Sequence, residues 1–183
     1  MKYEKTIVLK NGVKCLIRNA IEADAKEVYD NYNLTHSETD FLLSYTDEDS
    51  YDVEQERQFL IEKEISTTEI ELCAIVEGRI VGTAGIEAVG KKYKIKHRAE
   101  LGISVEKSYW GLGIGSVLLE ACIECAKKAG YIQIELSVVA DNISALSLYT
   151  KAGFVEYGRN PKGFCSRVNG WQEIILMQLL LNL

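Results

Sequence analysis

Three glycines fall within five positions at Gly111, Gly113 and Gly115, between a strand-like run, Ile103-Ser104-Val105, and a helical run that opens at Ser116. Glycine lets the backbone turn tightly and lets a ligand approach its amides, because no Cβ stands in the way. The first N–H groups of the following helix have no internal partners, and the helix dipole favours negative charge at that end. A strand that feeds such a loop and helix is a cradle for a pyrophosphate-sized anion and commits the region to an α/β arrangement.

Three glycine-loop readings compete. A P-loop ends in Gly-Lys-Ser/Thr so that a lysine reaches the terminal phosphates, but Gly115 is followed by Ser116 and Val117 and the next lysine is Lys127. A dinucleotide fingerprint needs a glycine where Ser116 stands, in the first strand–helix unit of its domain, and here about a hundred residues come first. The third reading is a coenzyme A pyrophosphate loop. A second motif supports it: Asn142-Ile143-Ser144-Ala145-Leu146-Ser147-Leu148-Tyr149-Thr150-Lys151-Ala152-Gly153-Phe154. Together the two segments resemble the GNAT superfamily of N-acetyltransferases, whose loop has the form Q/R-x-x-G-x-G/A and whose later helix has the form N-x-x-A-x-x-L-Y-x-K-x-G-F. The loop departs at one place, where Trp110 replaces the usual Gln or Arg.

Residue patterning supplies the rest of the architecture. Lys5–Leu9 and Val13–Arg18 read as strands joined at Asn11-Gly12, a hairpin-turn signal. Asp24 is placed to cap a helix through about Tyr32, and a second helix is expected over Val53–Ile65. Ile70–Val76 and Arg79–Val89 flank the Glu77-Gly78 turn, and Ala99–Val105 leads into the glycine loop. Helix Ser116–Ala129 closes on Lys127, Lys128 and Gly130. Strand Ile132–Val138, helix Asn142–Ala152 and two strands near Phe154–Gly158 and Trp171–Leu181 follow, the last two around a loop with Arg159, Lys162 and Arg167. The order β-β-α-α-β-β-β-α-β-α-β-β predicts one α/β domain over residues 1–183. The resemblance implies a mixed, mostly antiparallel sheet with helices on both faces, in which Ala99–Val105 and Ile132–Val138 run parallel and splay apart.

The same resemblance implies acetyl-coenzyme A as acyl donor. Its pantetheine arm would lie in the splay against the backbone of Ile103, Ser104 and Val105. Its pyrophosphate would take the loop from Trp110 and Gly111 through Leu112, Gly113, Ile114 and Gly115 to Ser116. Tyr149 matches the family's general acid, and an ordinary phenol keeps its proton at neutral pH. Asn142, two helical turns earlier, is read both as a helix N-cap and as a neighbour of the cofactor. Glu100 is the first candidate for the base, on the strand face opposite Leu101 and Ile103. Glu135 and His97 are weaker candidates, and a water chain would make a dedicated base unnecessary.

Composition narrows the function classes. A net charge of −6 argues against general nucleic-acid binding. No apolar run reaches the ~18–20 residues of a membrane span, and the N-terminus has no signal-like core. Five cysteines without a secretory signal suggest reduced thiols and a cytoplasmic location. Cys122 and Cys125 lie on the apolar face of a helix with no histidine cluster nearby, so buried thiols are expected rather than a metal site. The expected acceptor is a primary amine, drawn by Asp47, Glu48, Asp49 and Asp52, on a small molecule or at a protein N-terminus. Two other readings stay open: a non-catalytic acyl-coenzyme A sensor, and a homodimer paired through the apolar run Ile174–Leu181.

Overall fold

A computed structural model describes residues 1–48 and 51–181. Eight strands are found among them: β1 (Glu4–Val8), β2 (Lys14–Asn19), β3 (Ile70–Val76), β4 (Arg79–Ala88), β5 (Arg98–Val105), β6 (Gln133–Val139), β7 (Val155–Ser166) and β8 (Gly170–Leu180). The helices are α1 (Ala25–Glu38), α2 (Val53–Ile65), α3 (Ile114–Ala129) and α4 (Ile143–Lys151). The strands form one sheet in the order β1-β2-β3-β4-β5-β6-β8-β7, antiparallel except where β5 meets β6.

Alternation of side chains along the strands gives the sheet two apolar faces. Ile70, Leu72, Ala74 and Val76 of β3 join Ala84 and Ile86 of β4 in the larger core, together with Leu118, Leu119, Cys122 and Cys125 of α3. Cys73 points the other way, into a smaller core with Val28 of α1 and Leu60 of α2. Helices therefore cover both faces, as the resemblance implied.

Turn chemistry sets the local joints. Gly12 (φ 84°) turns the β1–β2 hairpin, and Glu77 (φ 51°) and Gly78 (φ 81°) turn β3 into β4. Asp52 caps α2 by accepting from the amides of Glu54 and Gln55, both at 2.9 Å. Gly130, at φ 81°, closes α3.

Several expectations need correction. Helix α1 runs on past Tyr32 to Glu38, held by buried Asn31 and Thr35 rather than by strong helix formers. Asp24 stands before that helix, but its carboxylate does not cap it. It accepts from the Ile21 amide at 2.9 Å and pairs with Arg18. The region expected as a loop after Gly158 is strand, because β7 continues to Ser166. Pro161 is tolerated there because β7 is the sheet edge and its register is irregular between Asn160 and Phe164. The apolar run of β8 lies between β6 and β7, so both its edges are paired within the chain and offer no ladder to a second copy.

Candidate active site

The parallel ladder between β5 and β6 stops early. Arg98, Ala99 and Glu100 pair with Gln133, Ile134 and Glu135, and no further pairs form, although β5 continues to Val105 and β6 to Val139. From residue 101 onward the two strands diverge, leaving the β5 edge without a strand partner on that side. Ile103, Ser104 and Val105 lie half-buried along this edge.

The glycine loop sits at the open end of the splay. Gly111 (φ 76°) and Gly113 (φ 99°) adopt backbone that side chains disfavour, and nothing lies within 4 Å of where a Cβ would stand at either. Gly115 differs: its φ is ordinary, and a Cβ there would touch Leu148 at 3.5 Å. Helix α3 starts at Ile114, two residues before its expected start at Ser116, with Gly113 as its N-cap and no side chain capping its first amides. Those amides, with Leu112 and Ser116 alongside, form an anion-ready rim. Trp110 has a structural task here. Its indole N–H donates to the carbonyl of Val105 at 2.6 Å and ties the loop back to the end of β5.

Tyr149 of α4 is buried against Phe154, ring centroids 5.8 Å apart. Burial, with Cys122 adding to it, pushes its hydroxyl up to about 12, so it stays protonated at neutral pH. No hydrogen-bond partner for that hydroxyl is found among the described residues. The side-chain oxygen of Asn142 accepts from the Ala145 amide at 3.1 Å, which makes it the N-cap of α4.

Glu100 is the last residue of β5 paired with β6, exposed, with Glu87 of β4 and Glu135 of β6 on either side of it. Glu135 is committed to a bidentate contact with Arg98 and also accepts from Gln133, and the Arg98 guanidinium holds its carboxyl below the usual range. His97 is exposed just before β5.

The acidic connection between α1 and α2 is engaged. Arg167, in the β7–β8 turn, bonds Asp47 at 2.7 Å and Glu48 at 3.2 Å, and Asp40 accepts from Ser166, from Tyr45 at 2.7 Å and from Asn169 at 3.2 Å. Asp52 is the α2 cap, and Asp49 lies outside the described residues. Asp40, Asp47 and Glu48 therefore fasten two loops together rather than stand open for a cation.

Sequence reasoning passed over a different acidic place. A cavity of about 490 Å³ opens between α1, α2 and the sheet, lined by Tyr32, Tyr51, Phe59, Glu56, Glu71 and Thr83 among others. Burial, and then the charge of Glu56, push Glu71 up to about 8, while Thr83 partly offsets them. Glu56 is itself raised by burial; the Tyr51 hydroxyl donates to one of its oxygens at 2.9 Å. The one available signal was Glu71 itself, a lone charge inside the apolar run Ile70–Val76.

Among the described residues no group of three or more His, Cys, Asp or Glu side chains is arranged to hold a metal ion. Cys122 and Cys125 are buried free thiols in the core. No helix of the described residues is long and apolar enough to cross a membrane.

The sequence profile of the acetyltransferase (GNAT) family matches residues 27–154, a span that includes the splay, the glycine loop and Tyr149. The chain belongs to the GNAT acetyltransferase family. A GNAT acetyltransferase of Streptococcus pneumoniae has a similar structure, with 33% identity and a TM-score of 0.87 over 91% of this chain and 99% of that one. The yncA protein of Salmonella typhimurium, solved with its cofactor acetyl-CoA, shares the GNAT fold at 20% identity and a TM-score of 0.81, over 92% of this chain and 94% of that one. The chain is also 33% identical to the L-amino acid N-acetyltransferase AaaT of Escherichia coli, over 50% of this chain and 57% of that protein. The chain spans about half the length of the curated relatives it matches.

Proposed function

We propose that this GNAT protein transfers the acetyl group of acetyl-coenzyme A to a primary amine, by direct attack and on a small molecule. The observation that carries the reading is the early end of the β5–β6 ladder beside an uncapped helix N-terminus. One edge offers unpaired backbone at the right place for an amide-bearing arm, and the other offers N–H groups to a pyrophosphate. Bound acetyl-coenzyme A supplies an activated thioester. The chain does the rest. Ile103, Ser104 and Val105 hold the arm extended, and the rim from Leu112 to Ser116 fixes the phosphates. The Tyr149 hydroxyl holds a proton at neutral pH and gives it to the departing sulfur. A cavity of about 490 Å³ next to the sheet suits a small acceptor better than a folded surface.

Calorimetric titration with acetyl-coenzyme A, followed by thiol release over a panel of amines, tests this reading. Tyr149→Phe is expected to keep cofactor affinity within a few-fold and to lower turnover roughly tenfold or more, the loss assigned to a group acting in the transition state. Binding without release from any amine would favour a sensor, and absence of binding would remove the cofactor assignment.

A further inference from the structure

We infer that the cavity between α1, α2 and the sheet is the acceptor site, and that it takes a primary ammonium with no carboxylate beside it, held by Glu56 and Glu71. The inference rests on the acetyl-transfer reading and goes beyond it by naming the acceptor's chemistry.

Three observations carry it. Glu56 is 4% exposed, reaches the cavity wall, and has one oxygen, Oε1, without any hydrogen-bond partner. A buried carboxylate oxygen left unpaired is costly, and an ammonium donor satisfies it. Next, no lysine or arginine among the described residues lines the cavity, whereas Tyr32, Tyr51 and Phe59 do. The nearby Lys63 is already paired with Glu69 at 2.7 Å and Glu87 at 3.0 Å. Aromatic faces and carboxylates attract a cation, and a carboxylate on the ligand would meet only like charge.

The third observation links the cavity to the splay. Glu71, Gly85 and Gly102 stand in one row across β3, β4 and β5. The Glu71 carboxylate leans over Gly85, with Oε2 2.1 Å from where a Cβ would be, and the space above Gly102 is open to 4 Å. Two absent side chains thus clear a path from Glu71 across β4 to the β5 edge. Strand spacing puts the carboxylate about 5 Å short of β5. An amine in this gap is within reach of the thioester. The bonding changes balance: the ammonium charge drives the Glu71 proton to solvent, and the Glu71 carboxylate then takes one ammonium proton. The nitrogen–carbon bond forms as the carbon–sulfur bond breaks, and the second nitrogen proton leaves to solvent while Tyr149 gives its proton to sulfur and regains one from solvent.

The test uses pairs that differ only by a carboxylate, such as tyramine with tyrosine, cadaverine with lysine and agmatine with arginine, together with an N-terminal peptide. Binding is read by calorimetry without cofactor, and transfer by thiol release with acetyl-coenzyme A. At least one decarboxylated amine is expected to bind, and to exceed its amino acid at least tenfold in kcat/KM. Glu56→Gln should raise its Kd and KM about tenfold and leave acetyl-coenzyme A affinity unchanged. Gly85→Ala, which displaces the Glu71 carboxylate without removing it, should lower kcat in the same direction as Glu71→Gln. Preference for the amino acids or the peptide, no binding by any amine, or binding indifferent to Glu56→Gln overturns the inference. If the amines fail while acetyl-coenzyme A still binds, the cofactor assignment stands without this site. If acetyl-coenzyme A fails while an amine binds through Glu56, the site stands and the transfer reading falls.

Discussion

A carboxyl group that holds its proton to about 8 in the folded protein, as Glu71 does, couples stability to pH. The unfolded chain releases that proton near the ordinary value of 4.5, so between the two values the folded state binds more protons. Stability from this group is therefore complete at low pH and declines as pH rises from about 4.5 through 8. Glu56, Glu87 and Lys63 are the charges around it, and the first two raise it further. Glutamine carries no such proton. Against wild type, Glu71→Gln is expected to gain in melting temperature between pH 6 and pH 9, by on the order of 5 °C. Parallel melting profiles across that range would show that Glu71 is ionised throughout. The residues that matter here were only half legible in the sequence. Tyr149 and the loop glycines announce themselves through spacing. Glu56 is one charge among many on α2, and what isolates it is a fold contact with Tyr51 and the sheet.

Elements, unlike residues, were mostly readable, since apolar periodicity and caps are local. The exceptions have local causes too. The polar stretch from Arg159 to Ser166 reads as loop, yet it becomes the edge strand β7 because β8 supplies a ladder and an edge tolerates Pro161. The end of α1 was hidden because its last turns are fixed by tertiary structure: Asn31 donates to Glu106, and Thr35 is buried with its hydroxyl turned back to the Tyr32 carbonyl. For α4 the cap settles the account: Asn142→Ala should cost about 1 kcal/mol in urea unfolding, while Asn142→Asp should hold stability, because aspartate caps as well and suits the helix dipole. If Asn142→Asp keeps stability but loses cofactor affinity, the side chain serves the ligand as well as the helix. Equal loss in both variants would mean that the cap bond contributes nothing.

At the scale of the molecule, one buried carboxylate joins the parts that frame the site. Glu106, just after β5, is 2% exposed, pairs with Arg79 of β4 at 2.5 and 2.7 Å, and accepts from Asn31 of α1 at 3.0 Å. Arg79 is half exposed and can return to water, whereas Glu106 cannot. Arg79→Met is thus expected to destabilise by about 3 kcal/mol, and Glu106→Met by less, because only the first strands a buried charge. Chemical denaturation of both variants checks the order, and a larger loss for Glu106→Met would reverse it. The truncated ladder between β5 and β6 has a consequence of its own. The sheet is two rafts moored by three residue pairs, and its interior carries an edge of the kind other proteins keep at the rim. Whatever lies along that edge works as an absent strand, so its affinity and the added firmness of the fold are one free energy measured from two sides.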